Sequence, residues 1–475
     1  MRTPFFALLL SLVSTVAFGQ AFKINPIQRD SQLLAHPQNV IESVQLIGNQ
    51  LTKNFIIIRE LDFKLGDTLE NEDFIQRLEQ SKKNILNTSL FNFARIDLAY
   101  ADSNKVHVYV HLTERWYLFP LPIFEIDDNN FNTWWQDKDF SRINYGMQVS
   151  HNNVRGRKER LSATAKFGFT ERLRLSYSIP YIDKNRRSGL GFGVSYNRLD
   201  EITYNTLKNK RLQYKQEEGD AIRNFSAAAT YRYRKKIFNS HSVGLEYDYN
   251  NIVDTVRKLN PEYLGENQRR TNYLSLFYNF TSDKRDSKNY PLVGSFFNLN
   301  VKKFGIGLIN SPVDLLNIQM QIRKYVELKK RWFAAGSLRG VLAANDNQPY
   351  LLRNGLGYNS FMIRSYELSV IDGQHIGLAK AQLKYQLIQP QDMNIKFIPE
   401  QFGKFHFAVY LGVFTDLAFV SDQVNYPRNE LANELQMGSG IGLDFVSYYD
   451  FTLRTEFSIN KFGDSGLFFH FVAPI

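Results

Sequence analysis

A period of two runs through the chain from Leu118 to Ile475. Leu161, Ala163, Ala165, Phe167 and Phe169 alternate with Ser162, Thr164, Lys166 and Gly168. Leu173, Leu175, Tyr177 and Ile179 alternate with Arg174, Ser176 and Ser178. The pattern recurs at Leu190/Phe192/Val194/Tyr196, Phe225/Ala227/Ala229/Tyr231/Tyr233, Leu316/Ile318/Met320/Ile322 and Phe451/Leu453/Thr455/Phe457/Ile459. Successive strand side chains point to opposite faces, so each segment is a strand with one apolar and one polar face. A soluble β-sandwich alternates in the same way. Strands of about ten residues, with Tyr and Phe gathered at their ends, favour an antiparallel transmembrane β-barrel that is apolar towards lipid and polar towards its lumen. Closure also removes the exposed edge that an open sheet must protect. Sixteen strands would leave about 22 residues for each strand and its connection.

The N-terminus supports export. Arg2 precedes the apolar stretch Phe5 to Val16, and Ala17-Phe18-Gly19 forms a small-x-small cleavage site, so residues 1–19 read as a signal peptide. No later run reaches the roughly 18 apolar residues of a transmembrane helix. A composition of 43% hydrophobic and 22% charged residues excludes both a polytopic helical membrane protein and a mainly disordered chain. The absence of cysteine excludes a disulfide scaffold, a thiolate metal site, a thiol nucleophile and a lipoprotein anchor. The net charge of +11 suits nucleic acid or an anionic membrane equally well, and export leaves the membrane. No G-x-S-x-G elbow, H-E-x-x-H helix, Walker loop or EF-hand loop occurs, so neither an enzyme nor a cofactor or metal is expected. His107 and His111 read as an exposed strand face. The basic clusters Arg155 to Arg160, Lys184 to Arg187 and Arg232 to Lys236 read as solvated turns at strand ends, some of them able to meet lipid phosphates.

Residues 39–114 form a separate α+β unit. Val40 to Ile47 is a strand that breaks at Gly48-Asn49. Thr52 can cap a helix bearing Phe55, Ile56, Ile58 and Leu61, which stops at Gly66. Asn71 to Leu86 predicts a second helix with Phe74, Ile75, Leu78 and Ile85 near one face. Strands follow at Phe93 to Tyr100 and Lys105 to Leu112, giving the order β-α-α-β-β. Ile47-Gly48-Asn49-x-x-Thr52, Arg59-Glu60-Leu61, Gly66, Leu90-Phe91 and Glu114 resemble a POTRA domain, the periplasmic module of outer-membrane assembly factors. The resemblance implies client binding by strand addition along a sheet edge.

Four stretches of residues 118–475 resemble the BamA/TamA assembly-factor family. Tyr177-Ser178-Ile179-Pro180-Tyr181-Ile182 is similar to the family's strand ending in Asn-Pro-Tyr. Asp283, Arg285 and Asp286, followed by Pro291 and Gly294, are similar to its D-x-R-D…P-x-x-G periplasmic turn. Ile363-Arg364-Ser365-Tyr366 corresponds to the V-R-G-F/Y tip of an extracellular loop folded into the barrel. Phe414-Thr415-Asp416-Leu417-Ala418 is similar to the F-x-D-x-G pattern of a late strand. The resemblance implies that Arg364 meets Asp416 in the lumen. Ser365 and Ala418 stand where the family has glycine, and Gln382 and Lys384 occupy the region where a third luminal acid is usual. Ser465 to Phe471 fits the outer-membrane β-signal.

In this family the first and last strands close the barrel weakly, and clients enter the membrane there. Pro120 and Pro122 on the first strand, and Pro474 beyond Gly466, Phe469 and Phe471 on the last, lack the N–H that a ladder needs. The prolines therefore either limit pairing at the seam or shape the linker from the POTRA unit. The implied function is non-enzymatic: assisting insertion of barrel proteins, or exporting a client, at the outer membrane with the N-terminal domain in the periplasm. The alternatives are a polypeptide-secreting pore plugged by the infolded loop and a docking subunit of an envelope complex. The partners implied are client outer-membrane or secreted proteins, periplasmic or lipoprotein subunits and outer-membrane lipid, but not nucleic acid.

Overall fold

A computed structural model describes residues 37–100, 104–126, 140–345, 348–357, 361–367, 369–394, 404–424, 429–447 and 452–471. The signal peptide, residues 1–19, and Pro474 lie outside these residues.

The N-terminal unit contains β1 (Gln38–Ile47), a helix Asn54–Ile58, β2 (Thr68–Glu70), a helix Asn71–Leu86, β3 (Phe91–Tyr100) and β4 (Lys105–Glu114). The sheet order is β2-β1-β4-β3, with β1 and β4 parallel. Val106, Val108 and Val110 point inward onto Phe74, Leu78 and Ile85 of the longer helix, and all six are fully buried. Each such side chain contributes about 1.5–3 kcal/mol on burial. Glu72 and Asp73 sit in the first turn of that helix, where its dipole favours negative charge. Two local expectations fail here. The short helix begins after Lys53 without a side-chain cap and ends at Ile58, before Leu61. Thr52 does not cap it: its hydroxyl pairs with the Tyr117 hydroxyl at 2.8 Å, and the Glu114 carboxylate accepts the N–H groups of Leu51 and Thr52. The three-residue β2 was not visible in the sequence because it is too short to show a period.

Among the described residues, sixteen strands form one antiparallel sheet. In order they are β5 (Leu118–Ile126), β6 (Ile143–Val154), β7 (Glu159–Gly168), β8 (Thr170–Ile179), β9 (Ser188–Leu199), then, after a separate hairpin of β10 (Glu201–Leu207) and β11 (Lys210–Lys215), β12 (Ile222–Tyr233), β13 (Asn239–Ile252), β14 (Arg270–Asp283) and β15 (Gly294–Phe304). They continue with β16 (Leu315–Lys329) and β17 (Trp332–Ala344). A small pair, β18 (Asn354–Leu356) and β19 (Ile371–Gly373), intervenes before β20 (His375–Asn394), β21 (Lys404–Ser421), β22 (Leu435–Ser447), β23 (Thr452–Asn460) and β24 (Ser465–Phe471). Register puts the apolar set on the outer face, where Leu173, Leu175, Phe192 and Val194 are exposed. Lys166, Arg172 and Asn197 lie opposite one another on the inner face.

The N-terminal unit sits at the end of the barrel that carries the connections 155–158, 180–187, 234–238 and 284–293. The opposite end is roofed by loops. The β10–β11 hairpin turns at Lys208-Asn209, both with positive φ, as a tight two-residue turn requires. Buried Asn209 bonds to the Val370 carbonyl at 3.1 Å and accepts the Leu431 N–H at 3.1 Å. The hairpin thereby ties two other loops together.

Candidate functional site

Ile363-Arg364-Ser365-Tyr366 lies inside the barrel, against the inner faces of β20 to β23. Arg364 Nη2 and Nε meet the two Asp416 oxygens at 2.5 and 2.9 Å, and the Arg364 backbone N–H donates to Asp416 Oδ2 at 3.1 Å. The guanidinium lies 3.6 Å from the centre of the Phe414 ring. Its remaining Nη1 reaches Glu456 Oε1 at 3.2 Å. The side chains of Arg364, Asp416 and Glu456 are 5%, 0% and 2% exposed, so this is a desolvated, bidentate ionic contact. Ile363 is buried with Val341, Leu356 and Ile371. The Tyr366 hydroxyl donates to Gln436 Oε1 at 3.0 Å.

A slot in β22 receives the loop tip. Gly438, Gly440 and Gly442 alternate along its inner face. A Cβ at Gly438 would lie 2.0 Å from the Arg364 carbonyl oxygen, and one at Gly440 would meet Phe457 backbone at 2.3 Å and the Phe414 ring at 2.7 Å. The sequence reading missed both this G-x-G-x-G run and Glu456. The glycines were legible, because three at period two on a strand leave one face bare. Glu456 was not, because it comes from β23 rather than from the strand after the loop, where Gln382 and Lys384 stand.

Ser365 adopts φ +74°, a left-handed conformation that strains any residue with a Cβ. Its buried hydroxyl has no hydrogen-bond partner among the described residues. Ser365→Gly is therefore expected to stabilise the folded protein by about 1 kcal/mol. The midpoint of heat-induced loss of compact electrophoretic mobility measures this, and a lower midpoint would contradict it.

Ionic contacts continue along the inner wall. Glu456 lies 3.6 Å from Arg454, whose guanidinium grips Asp444 at 2.5 and 2.7 Å. Asp444 accepts the Tyr290 hydroxyl at 2.6 Å. Tyr290 belongs to the connection 284–293, which with the flanking Asp283 and Gly294 carries the motif Asp283, Arg285, Asp286, Pro291 and Gly294. Arg285 clasps Asp283 at 2.8 and 2.7 Å. Asp286 Oδ1 accepts the N–H groups of Ser287, Leu292 and Val293, which closes the turn before and after Pro291. Gly294 has φ +113°, and a Cβ there would lie 2.2 Å from the Lys284 carbonyl oxygen. The Asp286 carbonyl in turn accepts Asn87 Nδ2 of the N-terminal unit at 3.3 Å.

The three basic turns keep Arg155, Lys184, Arg187, Lys235 and Lys236 exposed, and they are also the seat of that unit. The Gly156 carbonyl accepts the Lys53 N–H at 2.9 Å. The Arg186 and Arg234 carbonyls accept Arg59 at 2.8 and 2.7 Å. Arg234 binds both oxygens of buried Glu60 at 2.8 and 3.1 Å. Burial alone would raise the Glu60 carboxyl, but Lys158, Arg234 and Arg59 outweigh it and hold it at about 2. Tyr181, from the strand-end motif, is buried in the core of the N-terminal unit.

At the seam, β5 and β24 are the two ends of the sheet order, and no ladder joins them among the described residues. Pro120 and Pro122 pair with Val149 and Met147 inside β5, so they lie in the strand and not in the linker 115–117. Leu467 and Phe469 are exposed on the outer face, whereas Gly466 opposes Ser458 on the inner face. Phe471 opposes Leu453.

Residues 153–459 match the Omp85 superfamily domain. No curated protein sequence matches the chain. Among solved structures, the chain is similar to BamA from Haemophilus ducreyi lacking POTRA domains 1–3, at 16% identity and a TM-score of 0.52, over 91% of this chain and 84% of that one. It is also similar to CdiB from Acinetobacter baumannii, at 11% identity and a TM-score of 0.51, over 91% and 73% of the two chains. CdiB from Escherichia coli gives 11% identity and a TM-score of 0.53 over 91% and 75%. These likenesses bear on the fold, and the matched domain covers more than half of the sequence. The chain is an outer-membrane β-barrel protein of the Omp85 superfamily.

Proposed function

We infer that this protein assists the insertion of other barrel proteins into the outer membrane, without covalent chemistry. The observation that carries the reading is the unladdered pair of edges, β5 and β24. An edge strand offers a row of unpaired N–H and C=O groups to an incoming strand. Pro120 and Pro122 are two residues apart, so their missing N–H groups lie on the same side of β5 and weaken the same ladder. The loop end, by contrast, is roofed, and Arg364 anchors a further loop inside the lumen. Passage through the wall therefore requires fewer contacts to break than passage along the axis.

On this reading residues 39–114 are a POTRA domain lying in the periplasm. The outermost strand of its sheet among the described residues, β3, presents backbone to client proteins. Periplasmic or lipoprotein subunits and outer-membrane lipid are the remaining partners. Export of one client is the second reading, favoured by the likeness to CdiB. It requires the infolded loop to leave its slot.

The chain has no cysteine, so one placed on β5 and one on β24 form a single defined cross-link. Oxidation is expected to abolish complementation of a depleted strain, and reduction to restore it. Full activity of the cross-linked protein would refute lateral insertion. Outer-membrane proteomics after depletion separates the two readings: many barrel proteins fall if it is an insertase, and one secreted client is lost if it is an exporter.

A further inference from the structure

Between the barrel and the N-terminal unit lies a cavity of about 360 Å³. Its walls are the inner faces of β12, β13 and β14, with Asn84 and Asn87 of the N-terminal unit on the other side. Five cations line it: Lys158, Arg232, Arg234, Arg285 and Lys288. Only two carboxylates do so, Glu60 and Asp283, and each is already gripped through both oxygens, by Arg234 and Arg285 respectively. The nearest carboxylate to Lys158 is that same Glu60, at 4.0 Å. Among the described residues, Arg232 and Lys288 form no ion pair with any carboxylate.

Three cations thus face one half-open volume with little opposing charge. Burial pushes the Lys158 ammonium down to about 7, and Arg234 and Lys288 add repulsion that its contact with Glu60 does not offset. Burial also lowers Lys288, with Arg234 contributing. Arg232 and Lys288 are exposed to this volume, and like charges gathered there without a carboxylate partner favour an anion. The rest of the lining is mixed: the hydroxyls of Ser240, Ser242 and Thr281 and the amide of Asn279 stand beside apolar Pro180, Ile237 and Phe238.

We propose that this cavity binds a soluble phosphate monoester through Lys158, Arg232 and Lys288, with the hydroxyls of Ser240, Ser242 and Thr281 meeting the polar remainder of the ligand. A phosphate monoester carries close to two negative charges at neutral pH and presents three acceptor oxygens, which suits two ammonium groups and a forked guanidinium. A carboxylate brings half that charge. The volume falls within the range of small-molecule sites and exceeds that of a bare oxyanion. Strands β12 to β14, whose inner faces line the cavity, separate it from lipid, so the phosphate arrives from the aqueous side. The site goes beyond the insertion role and does not depend on which client is served.

The test is calorimetric titration of glucose 6-phosphate into the full-length protein in uncharged maltoside micelles, with glucose and with sodium chloride at matched ionic strength as controls. One saturable site is expected for the phosphate and none for either control. Arg232→Gln and Lys288→Gln should each weaken binding by about tenfold or more, whereas Arg232→Lys, which keeps the charge but loses the fork, should weaken it less than Arg232→Gln. Heat-modifiable mobility verifies that each variant is folded. Absence of saturable binding, or unchanged affinity in both glutamine variants, would overturn the site. Reconstitution in nanodiscs separates the two sources of phosphate. Binding retained in both phosphatidylcholine and phosphatidylglycerol discs supports a soluble ligand. Binding lost only in phosphatidylglycerol discs would assign the cavity to a lipid headgroup and overturn the soluble source.

Discussion

Asp416→Asn is expected to release the infolded loop. The substitution removes the charge from the group that holds the Arg364 guanidinium at 2.5 and 2.9 Å, and leaves Glu456, at 3.2 Å, as the nearest remaining carboxylate. Lys380, 3.5 Å from Asp416, loses its counter-charge in the same step. Breaking a buried pair from one side costs about 3–5 kcal/mol, because the surviving charge stays desolvated. The cost falls on loop docking, since the barrel ladders do not depend on this contact. Protease accessibility of residues 361–367 and hydrogen exchange across the loop measure it. Exposure should rise by about 100-fold or more, and protection equal to that of the parent protein would sink the assignment. In the double variant Arg364→Ala/Asp416→Ala the loss should be smaller than the sum of the single losses, since the two residues share one interaction.

The second large effect belongs to Glu60. Among the described residues, its carboxylate is the one within ion-pair distance of Arg59, Lys158 and Arg234 at the joint between the N-terminal unit and the barrel. Glu60→Gln leaves these cations facing one another and should loosen the joint by about 3 kcal/mol or more. Hydrogen exchange at residues 51–61 and 234–238 gives the readout, and unchanged protection at both would show that the ionic contact does not hold the two parts together. The pH dependence has a definite sign. Glu60 is lowered from its ordinary 4.5 to about 2 in the folded protein, so its contribution is complete above about pH 4.5. It declines as acidification proceeds from there towards pH 2. Glu60→Gln should remove that dependence.

Particular residues show which features could be read from the sequence. The alternation at Leu173, Leu175 and Tyr177 reports the outer face directly, because strand geometry converts a period of two into two faces whatever the strand pairs with. Asn71 to Leu86 was equally plain, since sixteen residues are enough to show a helical stripe. Thr52 was misread because its hydroxyl, which accepts Asn153 Nδ2 of the barrel at 2.9 Å, looks in sequence like that of a capping residue. The docking role of the basic turns was not legible for a related reason. Arg186 and Arg234 use backbone carbonyls to hold Arg59, and a carbonyl carries no sequence signal.

The sequence by itself determined the two-part organisation, the polarity of each strand face and the identity of Arg364 and Asp416 as residues of interest. Each of these rests on local pattern or on a short motif. Only the tertiary structure decided that Glu456 joins that pair, that Gly438 and Gly440 open the slot for the loop, and that Glu60 joins the two parts. These contacts link residues from 74 to 174 positions apart, as Arg364 with Gly438 or Glu456 and Glu60 with Arg234. Strand register and the placing of one domain on another set such distances, and neither is encoded in any single stretch of chain.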